Sequence, residues 1–143
     1  MKKKLPISIV CASHNGKQNL PKLIDSIVKN THWPNEIIIC GTDKEDFDLI
    51  LKKKYQKLNI KKIVSKVKNQ IVQRKLAIKK TKNQIIIQVD DDLVLDKKYV
   101  YLMYLHFKKN LNLKKIVSAA ILFKNKKHQA MRWNAAFNKS LLF

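Results

Sequence analysis

Three consecutive aspartates, Asp90, Asp91 and Asp92, are the residues whose type and spacing most clearly suggest chemistry in this sequence. Adjacent carboxylates repel one another, so a structural role explains one of them better than all three. A divalent cation would neutralise the charge, because Mg²⁺ or Mn²⁺ binds one or two carboxylates and takes further oxygens from a diphosphate. The triplet therefore favours metal–phosphate chemistry. The alternative is that Asp90 or Asp92 only caps the helix that follows.

Two other polar turns also follow apolar runs. Ser13-His14-Asn15 comes after the first run of the chain, and Thr42-Asp43 comes after the second. A histidine in such a turn is more often a hydrogen-bonded turn residue than a ligand, and Asp43 is equally suited to cap the next helix. Both turns therefore remain open between a structural and a binding role.

The elements that must position these turns alternate between strand and helix patterns. Strands are predicted at residues 7–11, 36–40, 60–67, 84–89 and 116–123, with the third at an edge because of its lysine pairs. Helices are predicted through residues 20–28, 47–55, 70–81 and 99–111. The first is expected to be capped by Asn19 and broken by residues 31–35. The third is marked by Ile71, Arg74, Leu76 and Ile78. This alternation predicts an α/β fold with a mostly parallel sheet covered by helices. Ligands then bind beyond the carboxyl ends of the strands, where the polar turns lie.

Length and composition exclude several classes of protein. The 143 residues fit one domain, and a hydrophobic content of 45% is enough for a core. No apolar run approaches the ~20 residues of a membrane span, and no secretory signal is recognisable. Two glycines are too few for a P-loop or a Gly-rich dinucleotide site. Cys11 and Cys40 fit buried free thiols in a reducing compartment, so a cytoplasmic location is expected.

The formal net charge of +21 has three interpretations. The basic residues are 29 lysines and 2 arginines, spread along the whole chain, whereas proteins that read nucleic-acid sequence favour arginine. A solvated lysine coat is therefore the first interpretation. Contact with an anionic membrane surface and binding to nucleic acid are the alternatives.

Four segments, in this order, resemble family 2 glycosyltransferases. Residues 7–15, with the helix that follows, resemble the opening strand and turn of that family, and residues 36–39 resemble its second strand. Residues 73–78 resemble the helix that carries an arginine toward the nucleotide, and residues 86–92 resemble the strand that ends in the DxD motif. The resemblance implies a GT-A fold over a single domain, residues 1–143. It also implies transfer of a sugar from a nucleotide-sugar donor to a hydroxyl acceptor, usually with inversion.

The same resemblance implies which residues form the donor site. The implied nucleotide-sugar-binding residues are Ala12, His14, Asp43, Arg74, Asp90 and Asp91. Asp92 would coordinate the cation, Mn²⁺ or Mg²⁺. His14 takes the place of a stacking tyrosine, and Arg74 would face the base or the diphosphate. Gly41-Thr42 stand where the family usually has an acidic pair, so a UDP sugar is expected but the base is left open.

The end of the sequence sets the remaining expectations. An inverting transferase needs a general base, usually a carboxylate, yet no Asp or Glu follows Asp96. The base is therefore expected beyond residue 143, in an acceptor half that would bind a glycan or a lipid-linked acceptor. The chain is expected to be the donor-binding part of a longer enzyme, truncated at its carboxyl end. Contact with the inner face of the membrane is left open, and two alternative functions remain. One is a nucleotide-sugar-binding module that needs a partner for catalysis, and the other is a basic surface-binding protein.

Overall fold

A computed structural model describes residues 2–14, 16–43, 47 and 55–108, together with the backbone of residues 116–120 and 133–138. Its helices and strands follow in chain order: β1 (Lys4–Ala12), α1 (Gly16–Lys29), β2 (Trp33–Gly41), β3 (Ile60–Val64), α2 (Gln70–Lys79), β4 (Ile85–Asp90), α3 (Tyr99–Lys108), β5 (Ile116–Ala120) and β6 (Trp133–Asn138). Most of the helix predicted at 47–55, and the predicted element ends at 109–111 and 121–123, lie outside the described residues. The predicted α/β class is confirmed.

The described strands form a six-stranded sheet in the order β3-β2-β1-β4-β6-β5. β1 pairs in parallel with β2 and β4, and β2 pairs in parallel with β3. β6, which was not predicted, runs antiparallel to both β4 and β5. The mostly parallel sheet and the edge position of β3 agree with the prediction. β1 is central and parallel to β4, and Ala12 pairs with Asp90. The turn at Ser13 and His14 and the aspartate triplet therefore emerge side by side.

Helices cover both faces of this sheet. α1 and α3 pack on one face, against Ile7, Ile9 and other buried side chains of alternate strand positions. On the opposite face, Ala77 of α2 packs against Val10 and Ile38. Strands buried on both faces have nearly continuous apolar sequences, as seen here. Cys11 and Cys40 are free and buried as expected, and burial raises the pKa of both thiols.

Several element boundaries differ from the predictions, among them the end of β3, which lies at Val64 and not at residue 67. α1 begins at Gly16, so Asn19 lies in its first turn and does not cap it. β2 begins at Trp33 and includes Pro34, where a helix-breaking loop was expected. The pairing of β1 with β2 shifts register between Leu5 and Ser8 at this point. A proline lacks a backbone N–H, and an irregular position in a strand pair tolerates that loss.

A buried carboxylate, Glu36 in β2, ties three strands together on the side away from the polar turns. Its side chain accepts hydrogen bonds from Ser8 Oγ at 2.6 Å and from the backbone N–H of Lys82 at 2.6 Å. It also forms an ion pair with Lys61 Nζ at 2.5 Å, although Glu36 itself is only 1% exposed. Burial would raise the pKa of Glu36, but the hydrogen bonds from Lys61, Lys82 and Ser8 outweigh it, so the pKa lies below its ordinary value.

The Glu36 cluster leads to a pH-dependent stability prediction. A carboxyl group whose pKa is lowered by folding stabilises the fold above its unfolded-state pKa, and the stabilisation is lost as the pH falls through the folded-state value. We expect Glu36→Gln to lower the free energy of unfolding by about 1–3 kcal/mol at neutral pH, because a buried partner of Lys61 and Ser8 is weakened. The difference from wild type should shrink as the pH falls below about 4.5. Urea denaturation across this pH range measures it.

Asp43→Asn provides the control for this experiment. Asp43 is an exposed carboxylate whose side chain accepts a hydrogen bond only from the neighbouring Thr42 hydroxyl, at 3.3 Å, among the bonds of the described residues. We expect its substitution to change stability by less than about 0.5 kcal/mol. A Glu36→Gln deficit that stays constant or grows in acid would contradict the assigned role of the Glu36 charge.

None of the helices among the described residues is long and apolar enough to cross a membrane.

Candidate functional site

A cavity of about 410 Å³ opens where the carboxyl ends of β1 and β4 meet the amino-terminal end of α2. This volume lies within the range of small-molecule sites, and the position is the one at which open parallel sheets bind ligands. The cavity is lined by residues from three elements and the turns that follow them: Ala12, Ser13, His14, Lys68, Gln70, Gln73 and Asp91. Six of these seven lining residues are of polar types.

Asp91 joins the two turns that follow β1 and β4. Its Oδ2 accepts a hydrogen bond from Ser13 Oγ at 2.8 Å and a longer one from the backbone N–H of His14 at 3.3 Å. Hydrogen bonds to an ionised acceptor are stronger than those between neutral groups. Asp91 is thereby held in one orientation at the wall of the cavity.

The turn at Ser13 is fixed from further directions. The Ser13 N–H donates to the carbonyl of Cys40 at 2.9 Å, which attaches the turn to the end of β2. Its own carbonyl accepts a longer bond, 3.4 Å, from Nε2 of the buried Gln73 on α2. Ser13 is thus held by β2, by α2 and by the turn after β4. A ligand in the cavity would therefore contact a preorganised surface.

Arg74 and Asp90 form an ion pair beside the cavity. Arg74 Nη2 lies 2.5 Å from Asp90 Oδ1, and both side chains are partly exposed. Arg74 Nε is buried and makes no hydrogen bond within the described part of the chain. The guanidinium therefore compensates one of the three adjacent carboxylates, and it is not among the side chains that line the cavity.

The sequence-predicted site residues fall into three groups. Ala12, His14 and Asp91 line the cavity, and Arg74 with Asp90 pairs next to it. The third group, Asp43 and Asp92, is exposed at the ends of β2 and β4. The structure thus brings the predicted residues to one edge of the sheet, while their roles toward a ligand remain predictions.

Four lining residues were not among the predicted site residues, although one of them, Ser13, belongs to a polar turn that the sequence analysis singled out. Lys68 and Gln70 lie in and just after the connection between β3 and α2, and Gln73 directly precedes Arg74. One signal was present, because Gln73 belongs to the segment that resembles the family's nucleotide-facing helix. Which side of that helix faces the cavity depends on how α2 packs, and the weakly amphipathic sequence of α2 does not define it.

A divalent cation would have to share its coordination between the protein and a ligand. Among the described residues, no group of three or more His, Cys, Asp or Glu side chains is arranged to hold a metal ion. Asp90 is paired with Arg74, and one oxygen of Asp91 is used by Ser13 and His14. One or two carboxylates, those of Asp92 and Asp91, are what Mg²⁺ or Mn²⁺ needs when phosphate oxygens and water complete the shell. The donor set therefore fits a cation that binds together with a diphosphate.

Comparison with protein families identifies the chain. The sequence profile described as "Glycosyl transferase family 2" matches residues 8–141. The chain belongs to this family. The family 2 membership and the GT-A-like fold implied by the sequence motifs are therefore confirmed. No curated protein matches the chain.

Solved structures of glycosyltransferases share the fold of this family 2 chain. A crystal structure of TarS residues 1–349 from S. aureus superposes with a TM-score of 0.71 at 15% identity, over 99% of this chain and 48% of that one. The complex of the same TarS fragment with UDP-GlcNAc gives 0.68 at 19% identity, over 91% and 37%. Mannosyltransferase PcManGT from Pyrobaculum calidifontis, bound to GDP-Man and Mn²⁺, gives 0.67 at 12% identity, over 96% and 45%.

These structural similarities establish the fold of the chain. At such low identity, a common fold does not transfer a substrate or a reaction. The family 2 chain spans less than half the length of each of these three chains.

Proposed function

We propose that this family 2 chain binds a nucleotide-diphosphate sugar in the 410 Å³ cavity and takes part in the transfer of its sugar to a hydroxyl acceptor. One observation carries the proposal. Asp91 is fixed by Ser13 and His14 at the wall of that cavity, between two further aspartates, in a chain of a glycosyltransferase family. The proposed acceptor is a hydroxyl of a glycan or of a lipid-linked saccharide.

The proposed donor is a UDP sugar. TarS has been crystallised with UDP-GlcNAc and PcManGT with GDP-Man, so two bases occur among structures of the same fold. Gln70 and Gln73 are among the residues that line the cavity, and a side-chain amide can both donate to and accept from the edge of a base. Gly41-Thr42 stand where the family usually has an acidic pair, so the base is left open and GDP is the second candidate.

The side chains at the cavity have separable tasks in this proposal. Asp91 orients the nucleotide, and the ammonium group of Lys68 offsets negative charge on the diphosphate. Asp92, with Asp91, would hold the divalent cation. When bound, such a cation stabilises the charge that develops on the leaving nucleoside diphosphate. Inversion at the sugar would require a general base that takes the proton of the acceptor hydroxyl, and we assign none of the described residues to that task.

A second candidate function is binding of the nucleotide sugar without turnover. It is favoured by the contacts at the site, since Asp90 pairs with Arg74 and Asp91 accepts from Ser13 and His14, whereas carboxylates are the usual general bases of inverting transfer. An assay of UDP release separates the two candidates: release of UDP from the donor by the 143-residue chain indicates turnover, and binding without release indicates the second candidate.

Calorimetric titration of the chain with UDP, with and without Mn²⁺, tests the proposal. We expect binding that strengthens with Mn²⁺ and loses about tenfold or more in affinity in Asp92→Asn, because one carboxylate ligand is neutralised. Asp96→Asn, which removes an equal charge from the same loop, is expected to bind like wild type. If folded protein binds neither UDP nor GDP in the presence of Mn²⁺, the proposed donor site is refuted.

A further inference from the structure

Exposed aliphatic side chains are concentrated at the connection between β3 and α2. Of the six large hydrophobic side chains that are exposed in the described residues, three fall within eight positions: Val64 (46%), Val67 (51%) and Ile71 (75%). Single exposed hydrophobic residues are ordinary, but a group of them beside a ligand cavity is a sign of an interaction site.

The sequence on both sides of this connection has only basic charged residues. Residues 49–89 contain 12 lysines and 1 arginine and no Asp or Glu, although the whole chain has 10 acidic residues. Lys66, Lys68 and Lys75 are exposed and flank the aliphatic side chains in sequence. The single arginine, Arg74, is already paired with Asp90. The local surface therefore combines exposed lysines with exposed aliphatic side chains.

Local hydrogen bonds give this connection a defined shape. Ser65 Oγ accepts from the Val67 N–H at 3.1 Å and donates to the Val67 carbonyl at 2.9 Å. Asn69 then caps α2 by accepting from the N–H groups of Ile71 and Val72. Such local bonds keep the exposed Val67 beside the first turn of α2 instead of leaving it on a loose loop.

The packing of α2 decides which of its side chains point outward. Gln73 and Ala77 are buried against the sheet, and at 100° per residue Ile71 and Lys75 lie on the opposite side of the helix. We define the β3–α2 surface as Val67, Ile71, Lys66, Lys68 and Lys75. It faces away from the core and stands next to the cavity, since Lys68 and Gln70 also line that cavity.

We infer that the β3–α2 surface docks the protein onto an anionic lipid bilayer. Lysines are attracted to the negative surface of such a membrane, and short aliphatic side chains between them enter the boundary between head groups and acyl chains. Single-stranded nucleic acid is a poorer fit, because its binding surfaces combine basic groups with aromatic side chains that stack on bases, and this surface has none. Docking in this way would place the mouth of the cavity at the lipid surface.

Vesicle binding by the intact 143-residue chain tests the inference. We expect flotation with vesicles of phosphatidylcholine and phosphatidylglycerol, and little with phosphatidylcholine alone. The double variants Val67→Ser/Ile71→Ser and Lys66→Gln/Lys75→Gln should each lower the partition coefficient about tenfold. All four side chains are exposed, so these variants are expected to fold.

Matched controls keep the inference falsifiable. Val94→Ser/Leu102→Ser removes two other exposed aliphatic side chains, and Lys29→Gln/Lys97→Gln removes the same charge elsewhere. Both should bind vesicles within about twofold of wild type, because contacts beyond a Debye length are screened. An equal loss of vesicle binding in the control and test variants would show that binding depends on overall composition and not on this surface, and would overturn the inference. Tight binding to RNA, with none to anionic vesicles, would also overturn it.

An environment-sensitive label reports the insertion directly. Cys11 and Cys40 are buried, so a thiol-reactive fluorophore should modify Val67→Cys selectively. We expect a blue shift on addition of anionic vesicles, and none when the fluorophore is attached at Val94→Cys. Vesicle binding without a blue shift at position 67 would contradict docking through this surface. None of these measurements requires UDP binding, so their failure and that of the proposed donor site are distinguishable.

Discussion

Replacing Asp91 by alanine is expected to weaken binding of UDP with Mn²⁺ by about a hundredfold or more. Asp91 is the aspartate of the triplet that lines the cavity, and it is already oriented by Ser13 Oγ at 2.8 Å and by the His14 N–H. The substitution removes the carboxylate that would orient the nucleotide and leaves the buried Ser13 hydroxyl without its acceptor. Isothermal titration calorimetry with UDP and Mn²⁺ measures the loss.

Two variants separate the charge of Asp91 from its structural role. Asp91→Asn keeps an oxygen that can accept from Ser13, so it should retain most of the stability that Asp91→Ala loses while still binding UDP poorly. Asp96→Ala removes an exposed carboxylate of the same loop, one that accepts from the Lys98 N–H at 2.8 Å, and should leave the affinity unchanged. A folded Asp91→Ala protein with wild-type affinity for UDP and Mn²⁺ would exclude Asp91 from the donor site.

Gly16→Ala is expected to destabilise the protein by about 1–3 kcal/mol, opposite to the usual effect of this change in a helix. A Cβ at Gly16 would lie 2.5 Å from Leu20 Cδ1 and 2.6 Å from Ser13 Oγ. Leu20 is fully buried, and the Ser13 hydroxyl is held by Asp91, so neither atom is free to move away cheaply. Steric crowding should therefore outweigh the gain in helix propensity, which is roughly 1 kcal/mol in a helix interior and smaller at the first residue of α1.

Chemical denaturation of Gly16→Ala and of Gln18→Ala, an exposed position of the same helix, measures this effect. The Gln18 variant is expected to stay within about 0.5 kcal/mol of wild type. Because the new methyl group displaces Ser13, we also expect Gly16→Ala to bind UDP more weakly than its loss of stability alone would explain. A Gly16→Ala protein more stable than wild type would show that Leu20 and Ser13 can relax.

Strong local patterns made much of the fold predictable. The apolar runs that became β1, β2 and β4 are buried on both faces, so their sequences are hydrophobic at nearly every position. The lysine pair Lys61-Lys62 marked β3 as an edge strand because charged side chains remain solvated there. β6 was not predicted. Its segment Trp133–Asn138 has no period-2 alternation, and its partners β4 and β5 are defined by long-range pairing.

Part of the candidate site was equally visible in the sequence. The Asp90-Asp91-Asp92 triplet and the turn at Ser13 and His14 follow apolar strands, and the carboxyl ends of neighbouring parallel strands meet at one edge. Lys68 and Gln70 gave no such signal, since nothing in their local sequence shows that α2 starts against the end of β1. Glu36 gave none either, because a lone glutamate in an apolar strand does not show whether buried partners will surround it.

The sequence by itself determined the α/β class and the edge of the sheet at which chemistry is expected, because these depend on local periodicity and on polar residues at strand ends. Its four motifs also resembled the family that the sequence profile then showed. Tertiary structure alone decided which carboxylate is used for what. Asp90 pairs with Arg74, Asp91 accepts from Ser13 and His14, and Asp92 is exposed. Three identical neighbours in sequence differ in their contacts because β4 ends there: the first contacts α2, the second contacts the turn after β1, and the third is exposed.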